Sequence, residues 1–231
     1  MPPRPKRHEL QNQQYRMAHG LERPRRPKIL LPERHLFVTE GTKTEPNYLN
    51  GLIELVCQKC GEGARRQLRV KGEGDNTLNL LEKAEKYQSN DADGFRHVWI
   101  LYDKDDFPPD AFDNTAGRCE ALNKRYREEQ RELEFHAIWS NPCVELWFLL
   151  HYELMQSDID RDDYRGKLSE KLGRHYDKSD PNIFRTLLPH MKTAVRNSKK
   201  LLRSFPESAP SAIVPGTNFH ELVTHFQHYF K

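Results

Sequence analysis

A chain of 231 residues with 36% hydrophobic and 31% charged residues is polar, yet it has length and aromatics enough for one substantial core with a smaller annex. No apolar run approaches the roughly 20 residues of a membrane span, and no apolar stretch of signal type follows the N-terminus, which argues against a membrane protein and leads us to expect a cytoplasmic one. The net charge of +3 is uneven: residues 1–28 hold eight Lys or Arg and two Glu, a net of +6, and the remainder carries −3.

The leader is rich in Pro and Arg and lacks apolar periodicity, so it reads as a basic, flexible arm. Its charge suits a polyanion such as nucleic acid, although a solubilising tail has the same composition. From Ile29 onward short β-rich runs alternate with helical segments, the pattern of an α/β domain. "HLFVTEG", starting at His35, is the first strand. In the helix after it Tyr48, Leu49, Leu52, Ile53, Leu55 and Val56 recur at helical spacing, with Pro46 in the first turn. "RRQLRVKGEG" is a second strand, followed by the helix "DNTLNLLEKAEKYQS" with Asp75 or Asn76 as its cap. "HVWILYDKDDF" carries the strongest strand signal: Val98 to Tyr102 are all apolar or aromatic, as in a central parallel strand buried on both faces. A charged helix, the fourth strand "LEFHAIWS" and the apolar helix "CVELWFLLHY" complete residues 29–152. Beyond Glu153 the segments "DRDDYRGKLSEKLGRHY", "PNIFRTLLPHMKTAVRNSKKLLRSF" and "NFHELVTHFQHYF" read as helices. The pattern predicts a mostly parallel sheet of about four strands flanked by helices, with residues 153–231 as a helical extension packed on the same domain.

Cys57, Cys60, Cys119 and Cys143 are too sparse for a disulfide framework, so reduced thiols are expected. Cys57 and Cys60 have metal-ligand spacing but lack a second close pair, and a plain helix end accounts for them.

In open parallel sheets ligands bind beyond the carboxyl ends of the strands. Glu40 follows the first strand, and Asp103 and Asp105 follow the third. On an extended backbone Asp103 and Asp105 point one way and Lys104 the other. Three such carboxylates suit a hard cation and phosphodiester chemistry. The D-x-D spacing recurs at Asp91 and Asp93, Asp158 and Asp160, and Asp160 and Asp162, but only the Asp103 copy ends a strongly apolar strand. The plainer alternative is that these acids simply stop a strand. The lack of G-x-x-x-x-G-K-[ST] argues strongly against a P-loop nucleotide hydrolase. A phosphatase with Asp103 as nucleophile and Asp105 as acid/base would leave Glu40 without a role. Lys43 is either a cation for a scissile phosphate or an exposed loop lysine. Glu145, opening an apolar helix, either caps that helix or faces the site, and we favour the site. His151 reads as a packing histidine. Lys192, Arg196, Lys199, Lys200 and Arg203 partly share a helical face that either tracks a nucleic-acid backbone or is merely solvated.

"FVTEG" followed by "ILYDKDD" resembles the TOPRIM domain of type IA and type II topoisomerases, DnaG-type primases and OLD-family nucleases. More specifically, "EGTKTEPNYL", "VKGEGDNTLNLLEKA", "YDKDDF", "SNPCVELWFLLHY" and "PGTNFHELVTHF", in that order, resemble the RloB-like family from about residue 35 to the C-terminus. The resemblance implies Mg²⁺ or Mn²⁺ held by Glu40, Asp103 and Asp105, with Glu40 as ligand or general base and Asp106 as a weaker candidate. It also implies a toxin nuclease of a bacterial anti-phage or abortive-infection locus acting on RNA, tRNA in particular. A neighbouring ATPase partner and a homodimer belong to the same expectation. A binding or sensor subunit without turnover is the rival from another class.

Overall fold

The computed structural model describes residues 7–18, 30–74, 77–105, 108–206 and 208–230. It divides into two units, Met1–Leu30 and Leu31–Lys231. In the first, helix α1 (Arg7–Ala18) gives part of the basic arm regular structure that its weak periodicity did not announce. The rest of the arm lies outside the described residues, as do the cap candidates Asp75 and Asn76 and the weaker site candidate Asp106.

The second unit repeats strand then helix four times: β1 (His35–Thr39) and α2 (Thr44–Cys60), β2 (Leu68–Gly72) and α3 (Thr77–Asn90), β3 (His97–Asp103) and α4 (Pro109–Glu128), β4 (Glu134–Asn141) and the short α5 (Glu145–Leu149). Helices α6 (Arg161–Leu172), α7 (Ile183–Leu187) and α8 (Met191–Arg203) follow, then β5 (Gly216–Thr217) and α9 (His220–His225). The sheet order is β2-β1-β3-β4-β5; the first four strands are parallel, and β5 is antiparallel to β4. Every residue of β1 and β3 is buried, as their unbroken apolar runs require of central strands.

Side chains alternate across the sheet and build a core on each face. Leu36, Val38, Val98, Ile100 and Tyr102 pack with Leu80 and Leu81 of α3 and Phe112 and Tyr126 of α4. Phe37, Trp99, Leu101 and Ile138 pack on the other face with Leu49 and Leu52 of α2, Trp147 and Phe148 of α5 and Phe226 just past α9. The C-terminal segment therefore completes the second layer. It also adds a short fifth strand to the about four expected. Two residues are too few for periodicity to reveal, and the attachment rests on polar groups. Thr217 Oγ1 donates to Trp139 O at 2.8 Å, and Asn218 accepts from Trp139 N–H at 2.7 Å and donates to Ala137 O at 2.8 Å. All four cysteines are free thiols, and no helix among the described residues is long and apolar enough to cross a membrane.

Candidate active site

The parallel strands deliver their carboxyl ends to a cavity of about 410 Å³, lined by five carboxylates, Glu40, Glu45, Asp103, Asp105 and Glu145, and by two cations, Arg161 and Lys178. Glu40 leaves β1 with its N–H bonded to Leu101 O at 3.0 Å, and its Oε2 accepts the Asp103 N–H at 3.2 Å. The first and third strand ends are thus tied together through the two acids. Asp103 is buried, and its Oδ2 accepts the Val144 N–H at 3.1 Å, which links it to the approach to α5.

Asp105 reaches the same cavity by a route that differs from the strand alternation expected for it. Strand β3 ends at Asp103; Lys104 N–H bonds Ser140 O at 2.8 Å, Asp105 N–H bonds Pro142 O at 3.0 Å, and Asp105 adopts φ +38°. A positive φ is uncommon outside glycine, and Asp is among the residues that tolerate it. The turn, not the pleat, aims its carboxylate, whose Oδ1 stands 2.9 Å from an Arg161 guanidinium nitrogen.

Glu145 opens α5 and is 1% exposed. Its Oε1 accepts from Tyr176 O–H at 3.4 Å and lies 3.6 Å from Lys178 Nζ, while Oε2 is buried without a hydrogen-bond partner. Glu45, in the first turn of α2, is also buried and accepts the Gly41 N–H at 3.3 Å. A Cβ at position 41 would stand 2.2 Å from a Glu45 carboxylate oxygen, so any larger residue there displaces that carboxylate.

Five acids against two cations would carry a formal −3 if all were ionised, and burial makes that costly. Burial, with Asp105 and Glu45 nearby, raises Glu40 to about 7 even though the Asp103 N–H opposes the shift. Burial and the charges of Glu45, Asp105, Glu145 and Glu40 push Asp103 well above the usual carboxylate range. Burial raises Glu45 as well, and raises Asp105 against the pull of Arg161 and Lys178. Such a cavity is completed either by protons or by a cation. The only triads of ligand atoms within 4.8 Å of one another among the described residues are histidine-rich and lie elsewhere, so the carboxylates stand wider than a dry cage. A cation held here would need waters between it and some of the carboxylates, as Mg²⁺ does where it takes one or two carboxylates directly.

Of the residues singled out from the sequence, Glu40, Asp103, Asp105 and Glu145 come together here. Lys43 does not line the cavity; it is exposed just before α2, between Thr42 and Thr44. Lys192, Arg196, Lys199, Lys200 and Arg203 are exposed along α8, whose opposite side buries Met191, Ala194, Asn197, Ser198 and Leu201. His151 is buried against Trp147 O at 3.0 Å, and burial lowers it to about 3, as befits a packing residue. Glu45, Arg161 and Lys178 were missed. Glu45 looks like an ordinary first-turn helix acid, and Arg161 and Lys178 follow Asp103 by 58 and 75 residues of chain, which no local pattern bridges.

A second, more open cavity of about 770 Å³ runs beside β2 and is lined by Arg34, Arg65, Arg66 and Arg69. Asp91, from a D-x-D copy away from the site, pairs there with Arg34 at 2.7 Å and Arg69 at 3.1 Å. Thr42 lines this groove and Thr44 the carboxylate cavity, so the loop after β1 separates the two.

A family model described as RloB-like protein matches residues 35–226. The chain belongs to the RloB-like family. The matched region opens at the first residue of β1 and closes just beyond α9, so all five carboxylates of this RloB-like protein fall inside it and α1 falls outside. No curated protein and no solved structure matches the chain.

Proposed function

We propose that this RloB-like protein is a divalent-metal-dependent nuclease of TOPRIM type that cleaves RNA, tRNA favoured, as the toxic effector of an anti-phage or abortive-infection system. The observation that carries the reading is the gathering of five carboxylates at the strand ends, where Glu40 and Asp103 come from adjacent parallel strands and Glu40 Oε2 accepts the Asp103 N–H. Asp103 and Asp105, with Glu40, are the residues to hold Mg²⁺ or Mn²⁺, which would neutralise the scissile phosphate and acidify a water. Where it does not bind the metal directly, Glu40, whose carboxyl is raised to about 7 in the metal-free protein, is the group suited to accept a proton from attacking water. Arg161 and Lys178 place positive charge where the phosphate would gain negative charge. Glu145 and Glu45 orient those cations and coordinated waters.

The arginine groove beside β2 would hold the RNA on the far side of the loop after β1, the loop that carries Lys43. The exposed cations of α8 and the basic arm add further phosphate contacts. A phosphatase using Asp103 as nucleophile fits poorly, because that carboxyl is buried, tied to Val144 and pushed toward its neutral form. Restraint by a nearby-encoded ATPase, pairing with a second copy, and action in the cytoplasm complete the proposal. Inducible expression of wild type and Asp103→Ala in a bacterial host, followed by sequencing of RNA ends, tests it. New ends and growth arrest with wild type alone support the reading; identical profiles overturn it.

A further inference from the structure

At the opposite end of the sheet, where the strands begin, the side chains assemble a second constellation that the nuclease reading does not use. We propose that His97, Glu134 and His136, at the amino ends of β3 and β4, form a three-ligand site for a borderline transition metal, Zn²⁺ being the best fit.

The geometry is that of a coordination shell. His97 Nδ1 and His136 Nε2 are 3.0 Å apart, and Glu134 Oε2 stands 3.6 Å from the first and 3.8 Å from the second. Tetrahedral zinc, with bonds of about 2.0–2.2 Å to nitrogen and oxygen, separates its ligand atoms by about 3.3–3.6 Å. These edges bracket that range, so a metal at their centre reaches all three atoms with small side-chain adjustments. Parallel pairing sets the arrangement, since His97 is in register with Glu134 and His136 follows two residues later on the same face.

The surrounding groups fix the ring states a metal needs. Glu33 Oε2 lies 2.9 Å from His97 Nε2, and a carboxylate there requires the ring proton on Nε2. That leaves the Nδ1 lone pair aimed at the site, the carboxylate–histidine–metal arrangement that supports metal ligands elsewhere. Arg96 Nε, 3.8 Å from Glu33 Oε1, keeps company with that carboxylate. Trp99 stacks on His136 with centroids 3.9 Å apart and holds its plane. His35, which also lies near His97, is a poorer ligand: its Nδ1 accepts the Trp99 indole N–H at 3.1 Å, so a neutral ring carries its proton on Nε2. His225 closes the site edge-on against His97 and Trp99. Glu134 and His136 have 53% and 26% of their side chains exposed, which leaves the fourth position open to water or an anionic ligand. The same atoms without metal form a hydrogen-bonded chain from Glu33 through His97 to His136, and the test must separate the two.

Untagged, metal-stripped full-length protein is titrated with Co²⁺. The site predicts intense tetrahedral d–d absorption saturating at a single equivalent, abolished by Zn²⁺ and untouched by Mg²⁺. His136→Ala and Glu134→Gln, both at partly exposed positions and checked for folding by circular dichroism, lose that spectrum. Glu33→Gln retains its shape but weakens affinity by about 10–100-fold. Asp103→Asn leaves it unchanged, which separates this site from the carboxylate cavity. A wild-type protein without the tetrahedral spectrum, or a folded His136→Ala protein that keeps it, overturns the proposal.

Discussion

Glu40→Gln should stabilise the metal-free protein at alkaline pH, an outcome opposite to that expected for loss of an ordinary surface ion pair. Glu40 is raised from 4.5 to about 7, first by burial and then by Asp105 and Glu45. At about 1.4 kcal/mol per pKa unit the ceiling is about 3 kcal/mol. Solvent still reaches the half-buried carboxyl, and screening reduces the figure to about 1–2 kcal/mol. The sign follows from proton linkage. The stability associated with the bound proton is complete below pH 4.5, where folded and unfolded chains both hold it, and is lost as pH rises through about 7. Gln has no proton to lose, and its amide oxygen can still accept the Asp103 N–H. In EDTA at pH 8 the variant should therefore melt about 3–6 °C higher than wild type, with the gap closing near pH 4.5. Added Mg²⁺ should favour wild type, because a cation relieves the same repulsion. Thermal unfolding followed by circular dichroism across pH 4.5–8 measures this. A variant no more stable than wild type at pH 8, or a gap independent of pH, would refute the electrostatic account.

Arg161→Ala removes the guanidinium beside Asp105 and should lower single-turnover RNA cleavage by about 10²–10³-fold, with less effect on substrate affinity. In the groove, Arg65→Ala combined with Arg66→Ala should flatten the slope of log affinity against log salt by about 1.4, at about 0.7 per phosphate contact on a single strand, while sparing the rate at saturating RNA. Gly41→Ala should give a folded protein in which the displaced Glu45 carboxyl disturbs the cavity, costing up to about 10²-fold in rate, measured with the same cleavage assay.

The sheet was legible because its signals are local: Val98 to Tyr102 form an unbroken apolar run, and burial on both faces of β3 is what such a run means. Glu40 and Asp103 were legible for the same reason, since each directly follows or ends a recognisable strand. Asp105 lines the cavity by a route that strand alternation does not describe, because the turn at φ +38° aims it and no sequence period encodes that turn. Arg161 and Lys178 were not legible, as they join the site only when the C-terminal helices fold back over the sheet. Strand β5 escaped because its hold on β4 depends on Thr217 and Asn218, polar residues at tertiary distance from their partners. The histidines were hidden likewise: His97 opens β3 and His136 is the third residue of β4, and only parallel register brings them together.

The proposed nuclease cuts a phosphodiester at the carboxylate cavity with the help of a divalent cation. Purified wild type incubated with end-labelled RNA, with Mg²⁺ or Mn²⁺ or with EDTA, tests that claim most directly beside folded Asp103→Ala. We predict metal-dependent cleavage by wild type, lost in EDTA and in the variant. Cleavage that survives EDTA, or that is equal in wild type and Asp103→Ala, would contradict the account.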